Sequence, residues 1–338
     1  MADEINVLVL TQARMPEPLL ATLRAVSPRL IVEHRTAETL EELGNVWPGV
    51  EVLYTTRLVP LPEAAPRLRW VQGHFAGVDQ FLEHPLLQSV TLTTSSGIHA
   101  PAMAEYILMM VLTFAHRLPR MVEHQQRAEW PQQRWALFVP QELRDATIGV
   151  VGYGSIGRET ARLARAFGMR VLALKRHVDR LADDGWHVPD VGDASGEYVA
   201  RFYTPDQLQA MLAECDYVAI AAPLTPETRG LLGAAEFRAM KREAVLINVA
   251  RGGVINEAAL IDALRDQVIG GAALDVFEQE PLPAESPLWH LPNVVLSPHV
   301  SGFTPHYDER AMTLFAENLR RYVAGEPLLN VVDVQRGY

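Results

Sequence analysis

Three glycines at 152, 154 and 157 are the first residues whose spacing suggests chemistry, in the stretch Thr147-Ile-Gly-Val-Val-Gly-Tyr-Gly-Ser-Ile-Gly-Arg158. Five residues of strand character, Thr147 to Val151, run into Gly152-x-Gly154-x-x-Gly157, and a helical pattern follows at once, ended by Gly168. Each glycine has a task in such a turn. Gly152 permits a tight exit from the strand, Gly154 lets the backbone approach a pyrophosphate, and Gly157 lets helix and strand pack closely. The N–H groups that open the new helix, at Ser155, Ile156 and Gly157, lie at its positive end and suit phosphate. Alone, the pattern could be a glycine turn in any α/β protein. Here it sits between a strand and a helix and is followed by a second strand, Arg170-Val-Leu-Ala-Leu-Lys175, which favours a dinucleotide site.

The elements that must position this turn read as alternating strands and helices. Ile5–Leu10, Leu30–Glu33, Val50–Tyr54, Leu68–Gln72 and Thr91–Thr93 have the short apolar character of buried parallel strands, with a helix over Pro16–Val26. They share no element with the glycine-rich sheet, so residues 1 to about 100 are expected to form a separate domain. A long apolar helix, Pro101–Leu118, leads to an arm, Arg120–Val139, expected to be irregular and carrying Trp130, Trp135 and Phe138. Such aromatic residues bury against a second subunit or fold back on their own domain; we expect a homodimer. From Thr147 six parallel strands are predicted, at 147–151, 170–175, 217–220, 245–248, 271–274 and 294–296. The polar stretch His177–Arg201 is long for a connection in such a unit and is expected to project at the surface. A last helix, Tyr307–Ala324, leads to Leu328–Val332, which could return to the first domain. The loop Gly73-His-Phe-Ala-Gly-Val-Asp79 follows a parallel strand, where such sheets bind ligands, though an ordinary turn would read the same way.

Length and composition bound the rest. At 338 residues the chain exceeds one usual core, so two domains are expected, and 49% apolar with 21% charged residues suits a soluble globular protein. The net charge of −11 argues against a nucleic-acid or acidic-membrane surface, without excluding an anionic substrate in a locally basic site. The single cysteine, Cys215, rules out an internal disulfide and fits a reducing cytoplasm. The acidic Met-Ala-Asp-Glu start is unlike a signal peptide, and the most apolar segment, Tyr106–Ala115, is too short to span a bilayer. No metal is expected.

Three further blocks fall at the C-terminal ends of the last strands: Ile247-Asn-Val-Ala-Arg251-Gly-Gly253, Ala273-Leu-Asp275-Val-Phe-Glu-Gln-Glu280-Pro281 and Leu296-Ser-Pro-His299-Val-Ser-Gly302. With the glycine turn, in this order, they resemble the D-isomer-specific 2-hydroxyacid dehydrogenase family over essentially the whole chain. The resemblance implies two doubly wound parallel-sheet α/β domains. A Rossmann nucleotide-binding domain, 101–302, is inserted in a flavodoxin-like substrate-binding domain, 1–100 and 303–338, with the active site in the cleft between them. It assigns Arg251, Glu280 and His299 to catalysis. The residue types suit reduction of a 2-oxo acid. A guanidinium can pair with the carboxylate while polarising the carbonyl, and an imidazole backed by a carboxylate can supply the proton the new alkoxide needs. Arg251 and His299 would also touch substrate, with the backbone of Ala76 and Gly77 holding its carboxylate. To the coenzyme the resemblance carries Asp275, on the nicotinamide carboxamide side, and Ala222, Pro223, Thr228, Val249, Ala250 and Gly302.

One departure from the family pattern bears on the coenzyme. The acidic residue expected at the end of the second Rossmann strand, to bind the adenosine 2′-hydroxyl, is replaced by Lys175 and then Arg176. These would attract a 2′-phosphate, so NADP is favoured over NAD, although Asp179 lies close and both basic residues could face solvent. Formate dehydrogenases of this superfamily carry glutamine where Glu280 stands, and longer phosphoglycerate dehydrogenases have a regulatory domain that is not expected beyond Tyr338; a short form stays open. We expect an oxidoreductase acting on a small 2-oxo acid such as glyoxylate or hydroxypyruvate. The alternatives are a co-repressor-like binding protein of the same family, or a dehydrogenase for a different small anion such as phosphite.

Overall fold

A computed structural model describes residues 4–77, 81, 84–183 and 185–334. The chain divides into two compact units, Met1–Ile98 with Asp184–Val188 and Thr304–Tyr338, and His99–Asp183 with Pro189–Phe303.

The first unit is built on a five-stranded sheet in the order β2-β1-β3-β4-β5, where β1 is Ile5–Thr11, β2 Leu30–Thr36, β3 Val52–Thr55, β4 Trp70–Gly73 and β5 Thr91–Thr93. Every pairing is parallel. This is the flavodoxin-like order. Side chains alternate across the sheet. On one face Val7 and Val9 meet Leu20 and Leu23 of helix α1 (Glu17–Arg24), along with Met312, Phe315 and Leu319 of helix α9 (Tyr307–Ala324). On the other, Leu8 and Leu10 pack with Leu43, Trp47 and Leu86. After α9, Val331 bridges Thr93 and the Val332 N–H donates to Leu92 O at 2.9 Å.

The second unit holds seven parallel strands in the order β12-β11-β10-β9-β6-β7-β8. They are β6 (Thr147–Val151), β7 (Arg170–Leu174), β8 (Arg201–Tyr203), β9 (Tyr217–Ile220), β10 (Val245–Asn248), β11 (Gly271–Leu274) and β12 (Val294–Leu296). Helices α2 (Ala100–Ala115) and α5 (Ser155–Ala166) cover one face. Helices α6 (Leu208–Leu212), α7 (Ala234–Ala239) and α8 (Glu257–Arg265) cover the other. The order reverses at β6, between β7 and β9, so the glycine turn leaves the sheet at its switch point, where ligands bind in such folds.

Both sheets are parallel and doubly wound, as expected from the alternation, with three departures in detail. The strand β8 is a seventh beyond the six expected in this sheet, because three residues led by an arginine at a sheet edge carry little apolar signal. The arm 120–139 is not irregular throughout: α3 (Leu118–Gln126) and α4 (Arg134–Leu137) form within it. The stretch His177–Arg201 does not simply project. Asp193 is buried, and Trp186 packs in the first unit with Ile98, Ala311 and Leu314, its N–H donating to Asn330 Oδ1 at 3.2 Å. There Gly97, at φ +98°, lies so close to the Trp186 carbonyl that a Cβ would collide with it.

Candidate active site

Because its strands are parallel, the second unit presents all their C-terminal ends along one edge, and four loops there carry the chemistry-bearing residues. The first is the glycine turn. Gly152 has φ +97°, and a Cβ on it would meet Ala222 N at 2.6 Å, so the turn lies against the loop after β9. At Gly157 a Cβ would run into Gly152 O and reach Val150 Cγ1 at 2.9 Å, which explains the need for glycine where helix meets strand. Gly154, the N-cap of α5, has nothing within 4 Å of its Cβ direction, and no side chain caps the helix. A helix end with open space over uncapped N–H groups is a cradle that fits a pyrophosphate.

The second loop follows β10. Asn248, 1% exposed, ties it: Oδ1 accepts from Ala250 N at 3.1 Å and Nδ2 donates to Arg251 O at 3.1 Å. Val249 and Ala250 are buried beside it. The Arg251 Nη1 donates to Ala250 O at 2.8 Å, so the guanidinium rests on its own loop. Gly252 lies against the Phe277–Glu278 backbone so closely that a Cβ would overlap it, which brings the Arg251 loop up to the turn that carries Glu280.

The third and fourth loops, after β11 and β12, carry Glu280 and His299. The Glu280 carboxylate accepts from Phe277 N at 3.1 Å through Oε1 and contacts His299 Nδ1 at 2.7 Å through Oε2. The contact engages Nδ1 of the ring and does not involve Nε2. His299 sits at φ +54°, a left-handed conformation uncommon outside glycine, and its N–H donates to Asp275 O at 2.9 Å. Asp275 is fully buried. Its Oδ1 accepts from Ser297 Oγ at 2.5 Å and Val300 N at 2.9 Å, and its Oδ2 from Ser301 N at 2.9 Å. Since Ser297 gives its only proton to this carboxylate, the 2.5 Å contact between Tyr106 Oη and Ser297 Oγ has the tyrosine as donor. Burial holds the Tyr106 phenol above its ordinary pKa, against the lowering effect of Ser297, so the donor stays protonated. The hydrogen bonds of Asp275 fold the loop that carries His299. Sequence reading missed Asn248, Ser297 and Tyr106. The first two were legible only as polar residues ending apolar strands, and Tyr106 was hidden in a helix read as apolar all round.

The remaining candidates divide. Gly302 faces the His99 ring, which a Cβ would approach to 2.9 Å. In the loop after β9, the Thr228 hydroxyl donates to Pro223 O at 2.6 Å and accepts from Thr225 N at 2.8 Å, so it shapes that turn. Lys175, just after β7, is half-buried and its N–H donates to Tyr203 O at 2.9 Å. The exposed Arg176 lies 3.8 Å from the Glu227 carboxylate. In the first unit, the loop with Ala76 and Gly77 leaves β4 through His74, whose N–H donates to Thr55 O at 2.8 Å, while Phe75 O accepts from Ser95 N at 3.2 Å. Val78 and Asp79, in the same predicted loop, lie outside the described residues.

Comparison with known proteins agrees with this geometry. Residues 108–301 match the family described as D-isomer specific 2-hydroxyacid dehydrogenase, NAD binding domain. A glyoxylate reductase from Aeropyrum pernix is 33% identical over 302 residues, 88% of this chain and 86% of that protein. Among solved structures, a D-isomer specific 2-hydroxyacid dehydrogenase from Xanthobacter autotrophicus, in complex with NADPH and MES, superposes with a TM-score of 0.80 at 32% identity, covering 99% of this chain and 100% of that one. An NADPH-dependent glyoxylate/hydroxypyruvate reductase from Sinorhizobium meliloti, in complex with NADP and sulfate, gives 0.80 at 30% identity over 99% of this chain and 100% of its own. With an uncapped glycine turn at the switch point and a hydrogen-bonded Glu280–His299 pair on the same sheet edge, the chain belongs to the D-isomer-specific 2-hydroxyacid dehydrogenase family.

Proposed function

We propose that the protein reduces a small 2-oxo acid of the glyoxylate or hydroxypyruvate type to the D-2-hydroxy acid, with NADPH preferred over NADH. The observation that carries the reading is the 2.7 Å contact between Glu280 Oε2 and His299 Nδ1, on the sheet edge that also bears the glycine turn and Arg251. When bound, the nicotinamide supplies the hydride. The chain's own residues supply the rest. Arg251 pairs with the substrate carboxylate and polarises the carbonyl, for which a planar guanidinium is suited. His299 delivers a proton from Nε2 to the oxygen that becomes the hydroxyl, while Glu280 keeps Nδ1 engaged and the ring oriented. We assign the amides of Ala76 and Gly77 to the substrate carboxylate. The N–H groups of Ser155, Ile156 and Gly157 are assigned to the pyrophosphate, and Lys175 with Arg176 to a 2′-phosphate. Ala222, Pro223, Thr228, Val249, Ala250 and Gly302 complete the coenzyme surface. The NADPH and NADP complexes of the two structural relatives support the coenzyme choice.

A homodimer and a cytoplasmic location belong to the same proposal. Trp130 and Trp135 are 81% and 78% exposed, and the same unit has an apolar groove of about 670 Å³ lined by Met109, Leu112, Leu118, Met121 and Phe167. Apolar surface of that extent favours a second copy. The lone, buried Cys215 suits a reducing compartment, and no helix among the described residues is long and apolar enough to cross a membrane.

Following absorbance at the nicotinamide band across a panel of 2-oxo acids, with each coenzyme in turn, tests the reading. We expect glyoxylate and hydroxypyruvate to give the highest kcat/KM, and NADPH to exceed NADH. Turnover of none of the 2-oxo acids would overturn the substrate assignment, and a clear NADH preference would overturn the coenzyme assignment.

A further inference from the structure

His74 directly follows β4 and precedes Phe75, Ala76 and Gly77, all in the first unit. It is buried, and its backbone is tied at both polar atoms. The N–H donates to Thr55 O at 2.8 Å, and the carbonyl accepts from the Tyr307 hydroxyl at 3.1 Å. The ring is tied as well. Nδ1 shares a 2.6 Å hydrogen bond with the Tyr54 hydroxyl, Tyr307 stacks on the ring with planes 30° apart, and Phe75 meets it edge-on at 4.8 Å between ring centres. Burial lowers the His74 pKa and raises those of Tyr54 and Tyr307, so at neutral pH the imidazole is uncharged and both phenols keep their protons.

The chain just before His74 is held by the same helix. Gln72 Oε1, fully buried, accepts from Thr93 Oγ1 at 2.8 Å and from Asn318 Nδ2 at 3.1 Å. The Gly73 carbonyl accepts from Gln72 Nε2 at 3.1 Å and from Ser95 Oγ at 2.9 Å. Asn318 and Tyr307 lie about three turns apart on one face of α9, so the helix grips the strand end at two points. Phe75 O accepts from Ser95 N at 3.2 Å, and there the ties stop. Among the described residues none accepts from the N–H of Ala76 or Gly77. Backbone N–H groups need acceptors, and two in succession beyond a fixed strand end suit an anion.

We propose that His74, clamped by Tyr54 and Tyr307, is a positioning residue for the substrate carboxylate, holding the chain that enters Ala76 and Gly77 in one geometry. The proposal rests on the assignment of those two amides to the carboxylate and adds the side chains that hold them. A loop fixed in this way loses little freedom on binding, whereas a misplacement of about 1 Å can cost on the order of 10²-fold in turnover.

The test uses oxamate, a carboxylate with an amide in place of the reacting carbonyl. Its binding to the NADPH complex is measured by calorimetry, beside steady-state kinetics with glyoxylate and amide hydrogen exchange at 74–77 in the free protein. Tyr307→Phe removes the hydroxyl that holds His74 O and keeps the stacked ring. It is expected to raise KM for glyoxylate and Kd for oxamate ~5-fold each, with kcat and KM for NADPH within about twofold. His74→Leu should raise both constants at least ~10-fold, and exchange should quicken in both variants. A residue serving stability alone would lower the melting temperature and leave KM and Kd in place. Ala76→Pro removes one of the two amide donors and should weaken oxamate at least ~10-fold. If it does so while Tyr307→Phe keeps wild-type KM, Kd and exchange, this inference fails and the carboxylate assignment stands. If Ala76→Pro binds oxamate as the wild type does, or the wild type binds none, the assignment falls and this inference with it.

Discussion

His299 combines a left-handed backbone, an N–H bound to Asp275 O and a ring bound to Glu280. Unusual backbone geometry persists where surrounding contacts over-determine it, and it gathers at sites of chemistry. Replacing His299 with alanine is expected to lower kcat by a factor on the order of 10²–10⁴, the usual worth of a general acid. Near-wild-type turnover in steady-state assays would remove it from that role. A second histidine makes a prediction of another kind. His74 is buried, stacks on Tyr307 at 4.7 Å between ring centres and shares a 2.6 Å hydrogen bond between its Nδ1 and the Tyr54 hydroxyl; burial pulls its pKa from 6.5 down to about 4. Between those values the unfolded chain binds the proton and the folded one does not. The stability this group contributes is therefore complete above pH 6.5 and is lost as pH falls toward 4, by on the order of 3 kcal/mol. Urea unfolding of wild type and His74→Gln across that range should show the stability difference between them shifting in favour of the variant as pH falls. The types and order of Arg251, Glu280 and His299 were legible in the sequence because their blocks end predicted strands. The hydrogen bonds of Asp275 to Ser297, Val300 and Ser301 were not, because a carboxylate after a strand looks the same with or without three donors from a later loop.

At the scale of the element, two glycines that look alike in sequence have opposite surroundings. A methyl at Gly154 meets open space, whereas one at Gly252 meets the Phe277–Glu278 backbone. Gly154→Ala is therefore expected to change stability by less than about 0.5 kcal/mol while weakening coenzyme binding, because the methyl stands where the pyrophosphate would approach. Gly252→Ala is expected to destabilise by about 1–3 kcal/mol and to lower kcat through the displaced Arg251 loop. Thermal unfolding with a coenzyme titration distinguishes the two. The doubly wound order could be read from the chain because apolar runs of four to seven residues alternate with helical patterns. The strand Arg201–Tyr203 could not, being short, edge-placed and led by charge. The placement of Leu181 and of 193–198 comes from the side chains of Arg158 and Asp193, whose pairing across distant positions leaves no periodic trace.

At the scale of the whole molecule, the exposed Trp130 and Trp135 lead to an expectation for assembly. Light scattering after size exclusion should give twice the chain mass, and the double substitution Trp130→Ser, Trp135→Ser should shift the population toward the single chain; a wild type that elutes as a single chain would refute the dimer. A saturating coenzyme at about 100 times its Kd should add roughly 2.7 kcal/mol to the stability of the unit that carries the glycine turn, seen as a rise of several degrees in its melting temperature. The first unit buries Met312, Phe315 and Leu319 of α9 against strands formed near the start of the chain, and Asn318, fully buried, donates to Gln72 Oε1 at 3.1 Å. On the ribosome those strands emerge long before α9 is made. Their apolar face must wait, uncovered, through synthesis of the entire nucleotide-type unit, so any stall before residue 307 leaves a nascent chain that chaperones will recognise.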